Sequence, residues 1–450
     1  MKKIYLLTGF FLVGLLGHAQ SDVQKAMSLQ ECIAYAVENN QNVKNAQLGV
    51  DMARYKVGEV LADGLPQLSA TADLAYNFKL PTSFVPAEFV GGEPGTFIPV
   101  QFSPPYNGSA GINLDQMIFN GSYFVGLKAS RTFTELSRKD RIKSEIDVIE
   151  SVSKAYYLAL VNHEQLKLVQ KTYTRLDSLL KETQAMWNAG FAEQIDVDRV
   201  KVQFNNAKVE KENFEQTLDL SYALLKFQMG MDVNQPLELK DRIADINFDV
   251  IKEGYGKDFS YEDRIEYAQL NTNLDLVNLD IKNTQVQYLP KIDLYGRYGA
   301  SAATGSLSDL TNFGDRWFGL GLVGVRLNVP IFDGLRKGRI IQQKRLQAHQ
   351  IENSRDQLRK NIDVQIKQAH TTLKKSVDNM VAQQENVQLA DHVYRAAKIK
   401  YAAGVGSNTE VVDADTALTQ AQTNYHTALY NALIAKVELE KAYGKLLDNR

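Results

Sequence analysis

Cysteine is nearly absent from this sequence of 450 residues, since Cys32 is the only one. A single cysteine excludes an internal disulfide, and its position inside a helical pattern does not fit a lipidated N-terminal cysteine. We therefore expect a small buried side chain. An excess of one charge is also lacking, because 51 basic and 53 acidic residues leave a net charge of -2. That balance gives no support for nucleic acid as a partner.

Long apolar runs are almost as scarce. The clearest one occupies residues 4–16, follows Lys2 and Lys3, and precedes the small-x-small stretch at residues 17–19. These features are typical of a secretory signal peptide, here residues 1–19, so the mature protein leaves the cytoplasm. No later segment approaches the roughly 18 to 20 apolar residues of a membrane helix. Any membrane crossing must therefore use β-strands.

What the sequence does contain is a fixed order of helical and strand patterns. Apolar spacing predicts one helix from Ser28 to Pro66, opened by a capping box of Ser28 and Glu31. Residues 67–78 then alternate between apolar and polar side chains, which predicts a strand with one apolar and one polar face. Six of the ten prolines fall in residues 79–105, so we expect a long exposed loop there.

Very long helical patterns follow. After a second strand near residues 109–116, a helix is predicted from residue 120 to about residue 188, and its apolar side chains recur at about 3.5 positions, the coiled-coil value. A helix of about 65 residues is about 100 Å long, and few globular domains contain one. A turn at Ala189 and Gly190 leads to another helix, which runs to about Gly230.

The second half of the chain repeats this order. The landmarks Leu-Pro, Ile-Phe-Asn/Asp-Gly, Ala-Gly and a final Gly begin at residues 65, 118, 189 and 230, and again at residues 289, 331, 403 and 444. We infer a tandem duplication, with a first repeat over residues 20–230, a linker over 231–257 and a second repeat over 258–450. The strands of the second copy are expected near residues 291–300 and 317–329.

Four strands per chain cannot close a barrel, and lipid does not tolerate open sheet edges. The chain must therefore pool its strands with copies of itself. Three copies would supply roughly 12 strands, with the helical segments in a ring beneath them. With three copies, the fold class would be mainly α with β, a homotrimeric 12-stranded β-barrel with four strands per chain, continued by a long α-helical coiled-coil tunnel. The sequence period alone does not count the subunits, so the number three stays open at this point.

One stretch, from Tyr401 to Asp413, joins two long helical patterns through paired glycines. It places Glu410 and Asp413 three residues apart, hence on one face of the following helix. A weaker copy lies at residues 189–196 and ends in Asp196. We interpret the two stretches as the tips of helical hairpins that close one end of a tube. From the residues alone, Glu410 and Asp413 can equally well be a solvated acidic first turn. Tyr401 can equally well be part of an ordinary apolar stripe along its helix.

These features resemble the TolC-like outer-membrane efflux family across essentially the whole mature chain, above all in the two tips. The resemblance implies a trimeric outer-membrane barrel continued by a helical tunnel through the periplasm. It implies gate roles for four residues: Tyr401 resembles a tether between hairpins, Asp196 its acidic acceptor, and Glu410 and Asp413 the acids that ring the constriction. Gly406 departs from the family pattern, because some members have an arginine there that locks the closed state.

The resemblance also implies partners. The tips would dock a periplasmic adaptor protein, which would connect the duct to an inner-membrane pump of the RND or ABC class. The residues expected to dock it are Ala189, Gly190, Phe191, Ala403, Gly404 and Val405. We expect a passive efflux channel, a homotrimer in contact with outer-membrane lipid, and neither enzymatic activity nor a cofactor. Five histidines are dispersed along helices without ligand spacing, so no metal site is predicted.

Three other interpretations remain open. An exit duct for type I protein secretion fits the same pattern, whereas a general porin would need many more strands per chain. A non-channel periplasmic coiled-coil scaffold leaves the alternating strands unexplained. The glycines at 319, 321 and 324 match a dinucleotide-binding fingerprint, but they lie in a strand-like run that does not open a helix. We expect them to allow close packing in a strand instead.

Overall fold

The structure, a computed structural model, describes residues 25–243 and 259–449 apart from 313 and 315. The predicted signal peptide and residues 244–257 of the predicted linker lie outside these ranges. The helices are α1 (Leu29–Asn39), α2 (Gln41–Ala62), α3 (Gly121–Asn188), α4 (Gln194–Met229), α5 (Ile265–Val286), α6 (Leu307–Leu310), α7 (Arg336–Ala402) and α8 (Asn408–Ala442). The strands are β1 (Lys25–Met27), β2 (Gln67–Tyr76), β3 (Ser83–Pro86), β4 (Phe97–Val100), β5 (Tyr106–Phe119), β6 (Leu237–Leu239), β7 (Lys291–Thr304) and β8 (Phe318–Asn328).

Two helices dominate the molecule, as the sequence predicts. α3 has 68 residues and α7 has 67, so each is about 100 Å long. Asn120 starts α3 by accepting a hydrogen bond from the Ser122 backbone N–H at 3.0 Å. The predicted capping box of Ser28 and Glu31 starts α1. α4 packs along α3 and α8 along α7, which makes two helical hairpins. In the part of the chain described, no helix combines the length and apolarity that a membrane span requires.

The single helix predicted up to Pro66 is instead two helices, α1 and α2, and this expectation was wrong at Asn40. Asn40 has an extended backbone with ψ of 134°, and its side chain accepts a hydrogen bond from the Asn42 N–H at 2.8 Å. Its Nδ2 donates to the carbonyl oxygen of Gln228 at 2.7 Å. A short amide side chain that bonds nearby backbone competes with the helical hydrogen bond. This competition ends α1 and caps α2.

Four strands form one antiparallel sheet in the order β2-β5-β7-β8. The alternation predicted for β2 continues across the sheet. One face carries, in register, Leu68, Leu114, Gly296 and Val323. The other carries Ser69, Asn113, Arg297 and Leu322. Leu68 and Val323 are largely exposed, so the sheet presents an apolar face to its surroundings, with β2 and β8 at its two edges.

The segment predicted as a long loop, residues 79–105, also contains a small hairpin. β3 and β4 pair antiparallel, with Phe84 opposite Pro99 and Val85 opposite Ile98. Proline disfavours strands because it cannot donate a hydrogen bond to a strand ladder. In a sheet of two strands, however, each strand is an edge strand, where proline is tolerated. The predicted loop therefore has an ordered centre, although most of its residues are exposed as expected.

The largest core cluster lies where the hairpins meet α1. It includes the fully buried Ile149 and Tyr156 of α3 and Leu433 of α8. Cys32 is buried in the same cluster, as predicted, and burial raises the pKa of its thiol to about 12. Asp241, which follows β6, accepts a hydrogen bond from the Tyr156 hydroxyl at 2.8 Å. This bond connects the segment after β6 to the core. The core fixes the hairpins at one end, and a second buried cluster, which includes Val200 of α4 and Val411 of α8, packs them together near their tips.

Candidate functional site

The two hairpins end in turns of the same construction. Gly190 has a φ of +83° and Gly404 a φ of +75°, a left-handed conformation that glycine adopts without strain. In the second turn the Val405 N–H donates to the Lys400 carbonyl oxygen at 3.1 Å, and the equivalent bond in the first turn measures 2.8 Å. These bonds satisfy carbonyl groups at the helix ends. The two Ala-Gly landmarks therefore form matching hairpin tips.

The tips are apolar and exposed. Phe191 is 86% exposed and Val405 is 78% exposed. The small residues beside them are exposed as well: Ala189, Gly190, Ala403 and Gly404. The six residues expected to dock a partner thus form two small apolar projections, which another helical hairpin can approach closely.

Glu410 and Asp413 lie on the exposed face of the first turns of α8. The opposite face of these turns is buried through Val411 and Val412. Ser407 caps the helix, because its Oγ accepts a hydrogen bond from the Glu410 N–H at 3.2 Å. Acidic side chains near a helix N-terminus are favoured by the helix dipole. In a single chain the two carboxylates face solvent, which fits a solvated turn and a pore-facing pair of acids equally.

Asp196 and Tyr401 are not hydrogen-bonded to each other in the single chain. The Asp196 carboxylate accepts a hydrogen bond from the Glu193 N–H at 3.3 Å, and its other oxygen lies 3.2 Å from Arg199 Nη1. Tyr401 packs against a cluster that includes Val412, and its buried hydroxyl has no hydrogen-bond partner among the described residues. The structure therefore places the predicted gate residues on the two hairpin tips without joining the tyrosine to its predicted acceptor.

Sequence reasoning missed a polar contact that does join the tips. Arg199 Nη1 of α4 donates to Thr409 Oγ1 of α8 at 2.9 Å. Beside it, Asn408 Nδ2 donates to the Asp196 carbonyl oxygen at 3.5 Å. No pattern within either helix signals this contact, because its two residues lie 210 positions apart in the sequence.

A second contact between the hairpins lies deeper. Arg175 of α3 forms an ion pair with Asp415 of α8, which is buried. The guanidinium also donates to Thr419 Oγ1 at 3.4 Å and lies 4.9 Å from the ring centroid of Tyr394 on α7. Burial raises the pKa of the Asp415 carboxyl, and the Arg175 charge opposes that rise. One arginine thus links three of the four hairpin helices.

Two helical hairpins, each built on one helix about 100 Å long, and a small sheet with an exposed apolar face define a channel protein with a long helical extension. The particular family follows from its sequence model. This chain belongs to the outer membrane efflux protein family, whose model matches residues 33–231 and 264–445.

Similar proteins agree with this assignment. The chain is 23% identical over 424 residues to the probable efflux pump outer membrane protein TtgC of Pseudomonas putida. The aligned region covers 93% of this chain and 83% of the relative. It is 22% identical over 460 residues to the outer membrane protein TolC of Escherichia coli, and that alignment covers 99% of this chain and 87% of the relative. The solved open state of the MtrE outer membrane channel of Neisseria gonorrhoeae superposes with a TM-score of 0.72 at 18% identity, covering 93% and 89%.

The family confirms three predictions made from the sequence. The chain is an outer-membrane efflux channel, its location is the outer membrane, and it is not an enzyme. The solved neighbours share its fold, which is mainly helical with some sheet.

Proposed function

We propose that the chain is a passive exit duct that works as a trimer. The open sheet carries this proposal, because its apolar face is exposed and its edge strands, β2 and β8, are each available to another strand. β2 runs away from the helices and β8 returns toward them, so β8 of a second copy beside β2 continues the antiparallel order. Three copies close a barrel of about 12 strands, and lipid then meets no open edge.

The proposal includes a tandem duplication of the fold. The first half has, in order, α2, β2, β5, α3 and α4, and the second half has α5, β7, β8, α7 and α8. Each half contributes two neighbouring strands to the sheet and one hairpin to the tunnel. This shared order supports the duplication, and it gives a trimer six hairpins around one axis.

Membrane fractionation with heat-modifiable gels tests the assembly. We expect the mature chain in the outer-membrane fraction, as a band of about three times the monomer mass that boiling converts to monomer. Reconstituted into planar bilayers, the trimer should conduct potassium chloride. A chain released with the soluble periplasmic fraction would support the coiled-coil scaffold instead. Pores formed by single chains would support the interpretation of the chain as a general porin.

We propose that Glu410 and Asp413 of the three copies ring the constriction. Carboxylates around a narrow mouth attract cations and repel anions. The double variant Glu410→Gln/Asp413→Asn is therefore expected to lower the cation-to-anion permeability ratio severalfold and to relieve block by multivalent cations, both measured in planar bilayers. Glu352→Gln is the control, because Glu352 is an exposed acid of α7 that pairs with His349. An unchanged ratio in the double variant would contradict the ring.

We propose that Tyr401 tethers the closed tips once its hydroxyl reaches Asp196. Tyr401→Phe removes that hydroxyl and keeps the ring packing, so the cost is one hydrogen bond of about 0.5 to 1.5 kcal/mol per chain. The variant is expected to spend more time open in single-channel recordings. Wild-type closed behaviour would assign Tyr401 to packing alone.

We propose that the tips dock a periplasmic adaptor protein, which links the duct to an inner-membrane pump of the RND or ABC class. The exposed apolar projections around Phe191 and Val405 support this role. Exposed apolar groups of this kind mark protein interaction sites when they cluster. Docking there places the partner directly against the residues that hold the tips together.

A further inference from the structure

The turn between α7 and α8 leaves no room for a side chain at position 406. A Cβ on Gly406 would lie 2.9 Å from Lys400 Cβ and 3.0 Å from the Tyr401 backbone nitrogen. Such distances are shorter than packed carbon atoms tolerate. No side chain at this position can reach the other hairpin while the turn keeps this shape. Any cross-hairpin lock must therefore come from a different residue.

Arg199 occupies the place that such a lock requires. Its Nη1 donates to Thr409 Oγ1 on the opposite hairpin at 2.9 Å and lies 3.2 Å from Asp196 Oδ1 on its own helix. The carboxylate thus holds the guanidinium in position, and the same nitrogen reaches across. The side chain of Arg199 is 35% exposed. Water can therefore replace the bond to Thr409 when the tips separate.

The deeper ion pair of Arg175 and Asp415 behaves differently. Asp415 lies six residues beyond Thr409, which is about 9 Å further along α8. Asp415 is only 4% exposed, so separating it from Arg175 would leave a buried carboxylate unpaired. That separation costs far more than breaking a partly solvated contact. Of the two polar contacts between the hairpins, the one at Arg199 is therefore the less costly to break.

We propose that Arg199 is the latch of the closed tip, and that opening breaks its bond to Thr409 while the ion pair of Arg175 and Asp415 stays formed. This inference rests on the proposed channel function. It assigns the locking cation to the first hairpin and a neutral hydroxyl acceptor to the second. When the latch opens, Arg199 remains paired with Asp196, so opening leaves no unpaired charge at the tip.

Single-channel recordings of reconstituted trimers test the latch, with potassium chloride as the probe. Arg199→Gln is expected to raise the ratio of open to closed time about tenfold, which corresponds to about 1.4 kcal/mol. Thr409→Val removes the acceptor and keeps the arginine, and it should shift the ratio in the same direction. Because both variants break one bond, the combined variant should exceed neither single variant by much. Arg199→Lys keeps the charge and should retain part of the closure.

Arg395→Gln is the matched control. Arg395 is an exposed arginine near the same end of α7, and it pairs with Asp391 of its own helix at 2.6 Å. This variant should gate like the wild type. A wild-type ratio in both Arg199→Gln and Thr409→Val overturns the latch, and so do fully additive effects in the combined variant. Failure of the channel proposal looks different, because then the wild type itself forms no pores.

Discussion

Replacing Arg175 with methionine is expected to destabilise the helical part of the protein by about 3 to 5 kcal/mol, because the change leaves the buried Asp415 carboxylate without its cation. The methionine fills much of the volume of the arginine stem, so the loss comes mainly from the charge. Chemical denaturation of the purified protein, followed by far-UV circular dichroism, measures the effect as a shift in the transition midpoint.

Two further variants separate the charge from the packing. Adding Asp415→Leu to Arg175→Met removes the stranded carboxylate, so the double variant should recover most of the lost stability. Arg138→Met is the control on the same helix, because Arg138 pairs with Glu135 at 3.0 Å and both side chains are about half exposed. Its effect should stay within about 0.5 kcal/mol. A loss in Arg175→Met as small as in this control would contradict a buried ion pair.

Acid should rescue the Arg175→Met variant. Burial raises the pKa of Asp415 above its ordinary value of 3.8, and removal of the arginine removes the opposing effect. An acid whose pKa is raised in the folded state stabilises that state below its unfolded pKa, and this stabilisation is lost as pH rises through the folded pKa. The variant should therefore lie closer to the wild type at about pH 5 than at about pH 7. An equal deficit at the two values would argue that packing causes the loss.

The parts of the fold that the sequence predicts well are those set by local periodicity. The regular apolar spacing along α3 indicates its length, because a long helix buries one stripe against its partner, and the repeated landmarks extend that prediction to α7. The alternation in β2 fixes which side chains face the apolar side, because the strand period is two. Asn40 is an exception. Its local cap is supported by a bond to the carbonyl oxygen of Gln228, 188 positions away, which no local periodicity reports.

The candidate site divides in the same way. Glu410 and Asp413 are recognisable from their spacing on one helix. The two glycine turns are recognisable from the repeated Ala-Gly landmarks. The contacts between the hairpins are not local, since Arg175 and Thr419 are 244 positions apart and Arg199 and Thr409 are 210 apart. No periodicity within one helix reports on them.

The second large effect is expected from Gly404→Glu, which should abolish export while leaving trimers and pores intact. Nothing lies within 4 Å of a Cβ at Gly404, and the residue is exposed, so a side chain there begins in open space. The left-handed backbone adds about 1 to 2 kcal/mol of local strain. When an adaptor covers the apolar tip, however, the new carboxylate is buried without a counterion, which costs several kcal/mol.

The measurement is chemical cross-linking in cells to the adaptor that co-purifies with the wild-type chain, together with growth on toxic compounds that the wild type exports. Gly404→Asn is the matched control, because asparagine tolerates the left-handed conformation and adds no charge. Gly190→Glu tests the other tip, where φ is also positive and a Cβ meets no atom within 4 Å. Cross-linking and export preserved in both glutamate variants would move the docking surface away from the tips. Loss at only one of them would show that the adaptor engages a single hairpin, which would leave the other tip free to move when Arg199 releases Thr409.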